Sequence, residues 1–586
     1  MGNFYKNISN FLLPLQNKIK LIISSFSKKE RFFFLFFLFT LTISTIVLLE
    51  NVNKSFMVNV PIQGGSLSEG IIGSPRFVNP ILAYSPVDND LVSIIYSGLM
   101  RKNTDGMLIS DLAQKYEISK DGLIYTFTLK DKIFFHDGKP ITSDDVIFTI
   151  NKIKDPVVKS PKKINWDGVS VEKIDDKNIK FTLKQPYASF LENTTIGILP
   201  LHLWTSSIDT PVEINELNTN PIGSGPYQLK KTSKESSGLI NSYELTAFNK
   251  FALGKPYIKN ITFKFYPNED AMMSALSNGN IEQISSITPE NAKILKEKNQ
   301  KILSSTLPRV FGLFFNQNQN QIFTDKNLIL AMNLVIDKDK IVSDVLDGYG
   351  VVIDDPIPPN MIAYQKLGEE KKSTKAENLI IAENLLLKNG WVKGSDGFLE
   401  KTTTVKKKKT TQKIEFSIST GNSSELVKAA ELIKNDLIGI GMNVSVKTFE
   451  TGNLNQAVIR PRKYDVLLFG QIINHESDLF AFWHSTQRKD PGLNIAMYTN
   501  AKVDKILEDA SVLTDENGRV KKYAQFEDEI KKDMPAVFLY SPEFIYVISK
   551  DLKGISIDHI TSSSDRFSNL YSWYLKTDNI WEIFNK

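Results

Sequence analysis

Five histidines, His136, His202, His475, His484 and His559, are the side chains of this 586-residue sequence whose ordinary pKa lies near neutrality. Any metal or acid–base centre would be expected to draw on them. None stands in an HExxH or comparable helical spacing. His475 and His484 flank a stretch containing Glu476 and Asp478, a donor set that suits a metal, although a polar loop explains the same residues. Cysteine is absent, which excludes disulfides, thiolate metal sites, cysteine nucleophiles and thioether lipidation. The glycines of GSGPYQLK, Gly223 to Lys230, lack the lysine-serine/threonine ending of a phosphate loop and run into strand-like residues, so they read as a turn. Asp144 and Asp145 are adjacent and suit the first turn of a helix rather than a hydrolytic pair. No nucleophile elbow, kinase set or dinucleotide fingerprint occurs. The expectation is a protein with no catalytic residue, no metal and no cofactor.

The elements that position these residues begin with an apolar run. Phe32 to Leu49, FFFLFFLFTLTISTIVLL, carries no charge and is long enough to cross a hydrocarbon core of about 30 Å. Lys18, Lys20, Lys28, Lys29 and Arg31 precede it and Glu50 follows, so the positive-inside bias puts the N-terminus in the cytoplasm and the remainder outside, as a single-pass protein of the cell membrane. A cleaved signal peptide and a buried core helix are the alternatives, but Ile46 to Asn51, IVLLEN, offers no small-residue cleavage site, and so long an apolar run has no polar face to offer water. Phe11 to Phe26 mixes apolar residues with lysines and reads as an inner-interface segment or a cytoplasmic tail. Residues 51–58 form a short polar tether. Beyond it, 41% hydrophobic composition over this length predicts two or more lobes. A net charge of +5, from 71 basic and 66 acidic residues, gives no electrostatic reason for a nucleic-acid partner.

The body alternates strand and helix signals, which indicates an α/β class. Tyr125, Phe127 and Leu129 alternate with Thr126, Thr128 and Lys130, the period of a half-buried strand. Ser143 caps a helix whose inner face is Val146, Thr149, Ile150 and Ile153. Lys413 to Ser419, a capped helix from Ser423 to Ile440, and Met442 to Phe449 make a βαβ unit. A further helix spans Ser373 to Asn389 and stops at Gly390. EKTTTVKKKKTTQK, Glu400 to Lys413, is charged and unpatterned and reads as a solvated loop.

Several segments, in order, carry a family resemblance. IYSGLMRKNTDGMLISDLAQKYEISKDGLIYTFTLKDKIFFHDGKPITSDDVIFTI (Ile95 to Ile150), NPIGSGPYQLK (Asn220 to Lys230) and GKPYIKNITFKFYPNEDAMMSALSNGNIE (Gly254 to Glu282) are followed by FGLFFNQN, LAMNLVIDKDKIVSDVLDGYG, PIPPN, AENLLLKNGW and MYTNAKVDKILEDASVLTDENGRVKKY. The chain from about Pro61 onward resembles the family 5 solute-binding proteins, the peptide- and nickel-binding components of ABC importers. The resemblance implies a three-lobed periplasmic-binding-protein-like fold (type II) that closes on its solute by a hinge. It implies residues 1–31 in the cytoplasm, an anchor over 32–49, a tether over 50–60, lobe I over 61–288 with an extra subdomain, lobe II over 289–537, and a return to lobe I over 538–586. The implied partners are a short peptide, or a metal complex or other small solute, and the permease subunits of an importer; the implied state is a monomer. A membrane-tethered receptor without transport is the remaining alternative. In peptide binders of this family an aspartate pairs the ligand's α-amino group, and Asn474 or His475 occupies that place here. Ser68 to Pro80 resembles the strand that lines the cleft in relatives, which makes Arg76 a candidate for a ligand carboxylate, or else a surface arginine. Phe77, Phe480 and Trp483 are candidate apolar walls, with core packing the alternative for each.

Overall fold

Alternation along Ile124–Leu129 becomes a buried face: Tyr125, Phe127 and Leu129 are inside and the residues between them are not. The computed structural model describes residues 20–584 except 188, 206–210, 360, 362–373, 406–407, 474, 476–477 and 514. In it this strand lies in a four-stranded antiparallel sheet, ordered Ala113–Ile118, Ile124–Leu129, Asn178–Leu183, Val169–Lys173. The helix Ser143–Lys154 packs beside the sheet with Val146, Thr149, Ile150 and Ile153 buried. Its cap is Thr142, one residue earlier than the sequence suggests, because the Thr142 N–H donates to Asp145 Oδ2 (2.9 Å) and fixes the first turn.

The GSGPY segment is the turn its composition predicts, and its glycines are dictated by close backbone approach. A Cβ on Gly223 would stand 2.0 Å from the Ile95 carbonyl oxygen, and one on Gly225 2.3 Å from that of Ile94. The strand Tyr227–Lys234 then begins with a buried tyrosine whose hydroxyl donates to the Ile258 carbonyl (2.9 Å). His136 clamps this turn from outside. The Gly223 N–H donates to His136 Nδ1 (3.2 Å), and Nε2 contacts the Gly225 carbonyl (3.1 Å).

A twelve-stranded mixed sheet runs through the body. Its path is Asn443–Phe449, Glu415–Gly421, Val466–Ile472, Arg309–Phe315, Ala536–Ile548, Gln283–Ser285, Ser66–Ile72, Asn260–Tyr266, Ile240–Ala247 and Tyr227–Lys234; Lys301–Thr306 and Gly350–Val352 also pair with Ala536–Ile548. That long strand serves both lobes: residues 536–540 pair with Arg309–Phe315 and residues 543–548 with Lys301–Thr306. Between the two halves, the Pro542 carbonyl accepts from the Leu307 N–H (2.9 Å).

The cores follow the same division. One gathers Leu67 through Phe263 with Leu307 and Phe544 through Trp573, and a small cluster of Met272 through Leu295 packs on Ile545 and Val547. In the other lobe, Leu313 and Phe315 face one cluster while Val310 and Phe314 face another, so both sides of the sheet are covered, which explains the uninterrupted apolar run VFGLFF after Arg309. The βαβ unit forms as Glu415–Gly421, Ser424–Gly439 and Asn443–Phe449, with parallel register from Glu415↔Asn443 to Gly421↔Phe449. The helix Lys375–Lys388 is held by a Thr374/Glu377 capping box.

The segment expected as a solvated loop is instead a hairpin, Leu399–Val405 paired with Lys408–Lys413. Its threonines are β-branched and pair across the strands, Thr402 Oγ1 to Thr411 Oγ1 at 3.0 Å. Thr402, Thr403, Lys409 and Thr410 stay exposed, so solvation was read correctly and extended structure was missed.

Residues 1–62 and 576–586 form a separate unit from Gln63–Leu575. It contains a helix, Lys28–Ser55, capped by a Ser27/Glu30 box, with no buried residue and a mean hydropathy of 2.6 over its most apolar 18 residues. A buried core helix is thereby ruled out for this run. The expected polar tether is not loop: the helix continues to Ser55, and the strand Met57–Ile62 pairs antiparallel with Lys576–Trp581. The last residues therefore leave the first lobe's core, where the sequence had placed them, and join the stem.

Candidate functional site

A cleft of about 1440 Å³ opens between the lobes. Ile72, Arg101, Lys102, Lys162 and Glu192 line it from the first lobe, Arg309, Glu425 and His475 from the second, and Ser285, Leu307, Pro542 and Glu543 from the strands that join them. Pockets for single small molecules fall near 300–1,000 Å³, so this space exceeds what one compact solute fills.

The wall chemistry is set by which charges are already paired. Arg101 Nε donates to Asp111 Oδ2 at 2.9 Å, both buried, which removes that guanidinium from ligand duty. Glu192, on the short helix Phe190–Asn193, meets Lys102 at 3.1 Å and His475 Nδ1 across the cleft. Burial pushes the Glu192 carboxyl up, but the His475 hydrogen bond and the Lys102 charge outweigh it and hold the group below the usual carboxylate range.

Among the described residues, two cations on these walls have no such partner. Arg309 opens the strand Arg309–Phe315, and its Nε is enclosed without a hydrogen bond among the described residues. Burial lowers its pKa, as it lowers that of the Lys162 ammonium. A guanidinium held in a cleft with unmade bonds is costly unless an anion completes it. Glu425, in the first turn of Ser424–Gly439, and Glu543 are half-buried carboxylates on the same cleft.

The structure brings together only part of the sequence-predicted site. His475 lines the cleft, with its backbone N–H donating to Asp478 Oδ2 (3.0 Å). Asn474 lies outside the described residues. Arg76 and Phe77 are not on the cleft wall. The Arg76 side chain is exposed with Cζ 5.2 Å from the Phe77 ring, and both backbone N–H groups donate to Asp88 Oδ1 (2.8 and 3.0 Å), which turns this loop onto the first lobe's own core. The preceding Glu69 is likewise committed: its carboxylate receives Arg566 Nη2 (2.8 Å) and the Tyr546 hydroxyl (2.7 Å), all fully buried, and Arg566 also binds Asp90 (2.7 Å).

Trp483 and Phe480 belong to the second lobe's interior. The helix Asp478–Trp483 turns the indole among Phe314, Phe526 and Phe538, and stacks Phe480 on His484 at 4.2 Å. His484 therefore faces Asp504 (3.8 Å) and Glu508 (3.6 Å), while His475 faces Glu192, and the imagined His475/His484 cluster does not form. Among the described residues no group of three or more potential ligands gathers for a metal.

Arg309, Lys162, Lys102 and Glu192 were missed by sequence reasoning. The one signal available was Arg309 itself, a lone charge heading an otherwise apolar strand.

Residues 108–491 match the family described as bacterial extracellular solute-binding proteins, family 5. The oligopeptide-binding protein AppA of Bacillus subtilis is 29% identical over 501 residues, covering 84% of this chain and 89% of that protein. The crystal structure of AppA in complex with a nonapeptide superposes with a TM-score of 0.63 at 28% identity over 88% of this chain and 100% of that one. NikZ of Campylobacter jejuni, solved in complex with Ni(L-His), superposes with a TM-score of 0.66, also at 28% identity, over 87% of this chain and 99% of that one. The doubly covered sheet, the strand shared by two lobes and the cleft between them are thus a family architecture, and this chain belongs to the family 5 bacterial extracellular solute-binding proteins.

Proposed function

We propose that the protein captures a short peptide in the interlobe cleft and delivers it to an ABC importer, held at the outer membrane–water boundary by the helix Lys28–Ser55. The observation that carries the peptide reading is the cleft's charge pattern: Arg309 and Lys162 unpaired by any described carboxylate, with Glu425 and Glu543 free on the same walls. A zwitterionic chain answers both signs at once, its carboxylate to the guanidinium fork and its α-amino group to a glutamate. The volume supports a ligand of several residues. A retained anchor is supported by the cationic flank before the span, the acid after it, and the absence of a small-residue cleavage site.

The test is calorimetry of the full-length protein with peptides of two to nine residues, each as free acid and as C-terminal amide. A charge-assisted hydrogen bond is worth about 1.5–3 kcal/mol, so Arg309→Ala is expected to weaken the free acid by about tenfold or more and the amide far less. Equal loss for both forms removes Arg309 from carboxylate recognition. Binding of Ni(L-His) in place of every peptide moves the assignment to a metal complex.

A further inference from the structure

The C-terminal turn carries exposed apolar side chains. After the strand Lys576–Trp581 the chain makes one 3-10 turn, Glu582–Phe584, and the Glu582 N–H donates to the Phe56 carbonyl (3.0 Å), extending the ladder to the end of the helix. Trp581 folds onto the helix's last turn: its Nε1–H donates to Asn53 Oδ1 (2.8 Å) and its ring lies 6.4 Å from that of Phe56. The indole's one polar group is satisfied while its face is 43% exposed; Ile583 and Phe584 are 71% and 70% exposed and Phe56 57%. Leu49, Val52, Phe56, Trp581 and Ile583 border an apolar groove of about 740 Å³, and Phe584 follows it in the chain.

We propose that Trp581, Ile583 and Phe584 form a second membrane contact, a foot seated at the acyl–headgroup boundary of the outer leaflet beside the point where the helix emerges. The inference rests on the anchor reading above. Depth decides the occupant. The uncharged run ends at Leu49, and Phe56 lies seven residues on, about 10 Å at 1.5 Å per residue. The headgroup region adds about 5–8 Å on each side of a core of about 30 Å. The groove, bordered from Leu49 to Phe56, thus spans the boundary and the headgroups, the depth at which tryptophan with a bonded N–H and an apolar face is favoured. Lys54 is already paired with Glu50 (2.7 Å) and the charged residue on the groove, Glu582, is acidic, so among the described lining residues no free cation calls for anionic lipid.

The chain reports on this itself. It has six tryptophans, and Trp166, Trp204, Trp391, Trp483 and Trp573 are buried in the body. The full-length protein is reconstituted into phosphatidylcholine vesicles brominated at shallow or deep acyl positions. Shallow bromines are expected to quench part of the emission, deep ones less, and Trp581→Phe to abolish the difference. Ile583→Ser with Phe584→Ser keeps the reporter and is expected to lower shallow quenching while leaving the thermal midpoint of the body unchanged. Flotation after an alkaline wash tests the anchor separately. Protein that floats while Trp581 is quenched only by aqueous acrylamide overturns the foot and leaves the anchor standing. Protein that floats with Trp581 shielded from both quenchers shows a protein, not lipid, in the groove and overturns the proposal. Protein that does not float overturns foot and anchor together.

Discussion

His136 fixes the junction of two segments through which the family resemblance shows, FFHDG and GSGPY. One ring nitrogen accepts from the Gly223 N–H and the other faces the Gly225 carbonyl, so the ring is held as a single neutral tautomer. Burial pushes its pKa down to about 4, against the smaller opposing pulls of the Gly225 carbonyl and Asp137. A histidine depressed in the folded state contributes stability that is present above its ordinary value of 6.5 and lost as pH falls through about 4. The melting temperature of the wild type is therefore expected to fall on acidification from pH 6.5 to 4. His136→Gln is expected to start lower at pH 7 and to lose less over that interval. Parallel slopes in melts followed by circular dichroism would assign the acid sensitivity elsewhere. Of the candidate ligand residues that are described, His475 alone lies on the cleft wall, because tertiary packing decides which side of a loop or short helix faces the ligand. Trp483 and Phe480 share one short helix and are drawn inward by the core, while Arg76 is set by its backbone bonds to Asp88.

At the scale of elements, periodicity was legible wherever one face is buried: Ile124–Leu129, Ser143–Lys154 and the βαβ unit all appear within a few residues of their expected places. It failed where neither face is buried. The 399–413 hairpin has no apolar alternation to read, and its cross-strand threonine pairs become visible only once the register is known. Charge inside an element was equally hidden. Glu527, on the helix Glu516–Asp533, reads as surface, yet it is buried beside Asp355 with Lys531 bonded to both. Burial, reinforced by Asp355, pushes its carboxyl up to about 7. The sign is opposite to that of His136: a raised carboxylate contributes stability that is full below about pH 4.5 and lost as pH rises through about 7. Glu527→Gln is expected to flatten the decline in melting temperature between pH 5 and 8. A wild-type midpoint that is level across that range would count against this account.

For the whole molecule, a division of the core was legible, and where the chain crosses it was not. The chain passes between cores near Leu307 and Pro542–Glu543, where one strand changes partners, and we propose these as the hinge in place of boundaries at 289 and 537. The Glu192–His475 pair is a side-chain contact that spans the cleft from lobe to lobe. A partly exposed pair of this kind is worth about 0.2–1 kcal/mol. His475→Ala is accordingly expected to shift the ligand-free population toward the open form by up to about fivefold, read as a larger radius of gyration in solution scattering, with ligand restoring the wild-type value. An unchanged radius would show that the pair does not hold the lobes.

The stem ladder has a temporal meaning. Asn53 and Trp581 are bonded across 528 residues of sequence, and each of the six register pairs from Met57↔Trp581 to Ile62↔Lys576 joins the segment that precedes the body to the one that follows it. Closing so long a loop is entropically costly until the intervening body has folded and brought Ile62 and Lys576 together. The ladder is therefore the last structure to form on a newly exported chain and the first forfeited by one that stops short. A ribosome that releases early leaves a protein whose frayed stem marks it as unfinished.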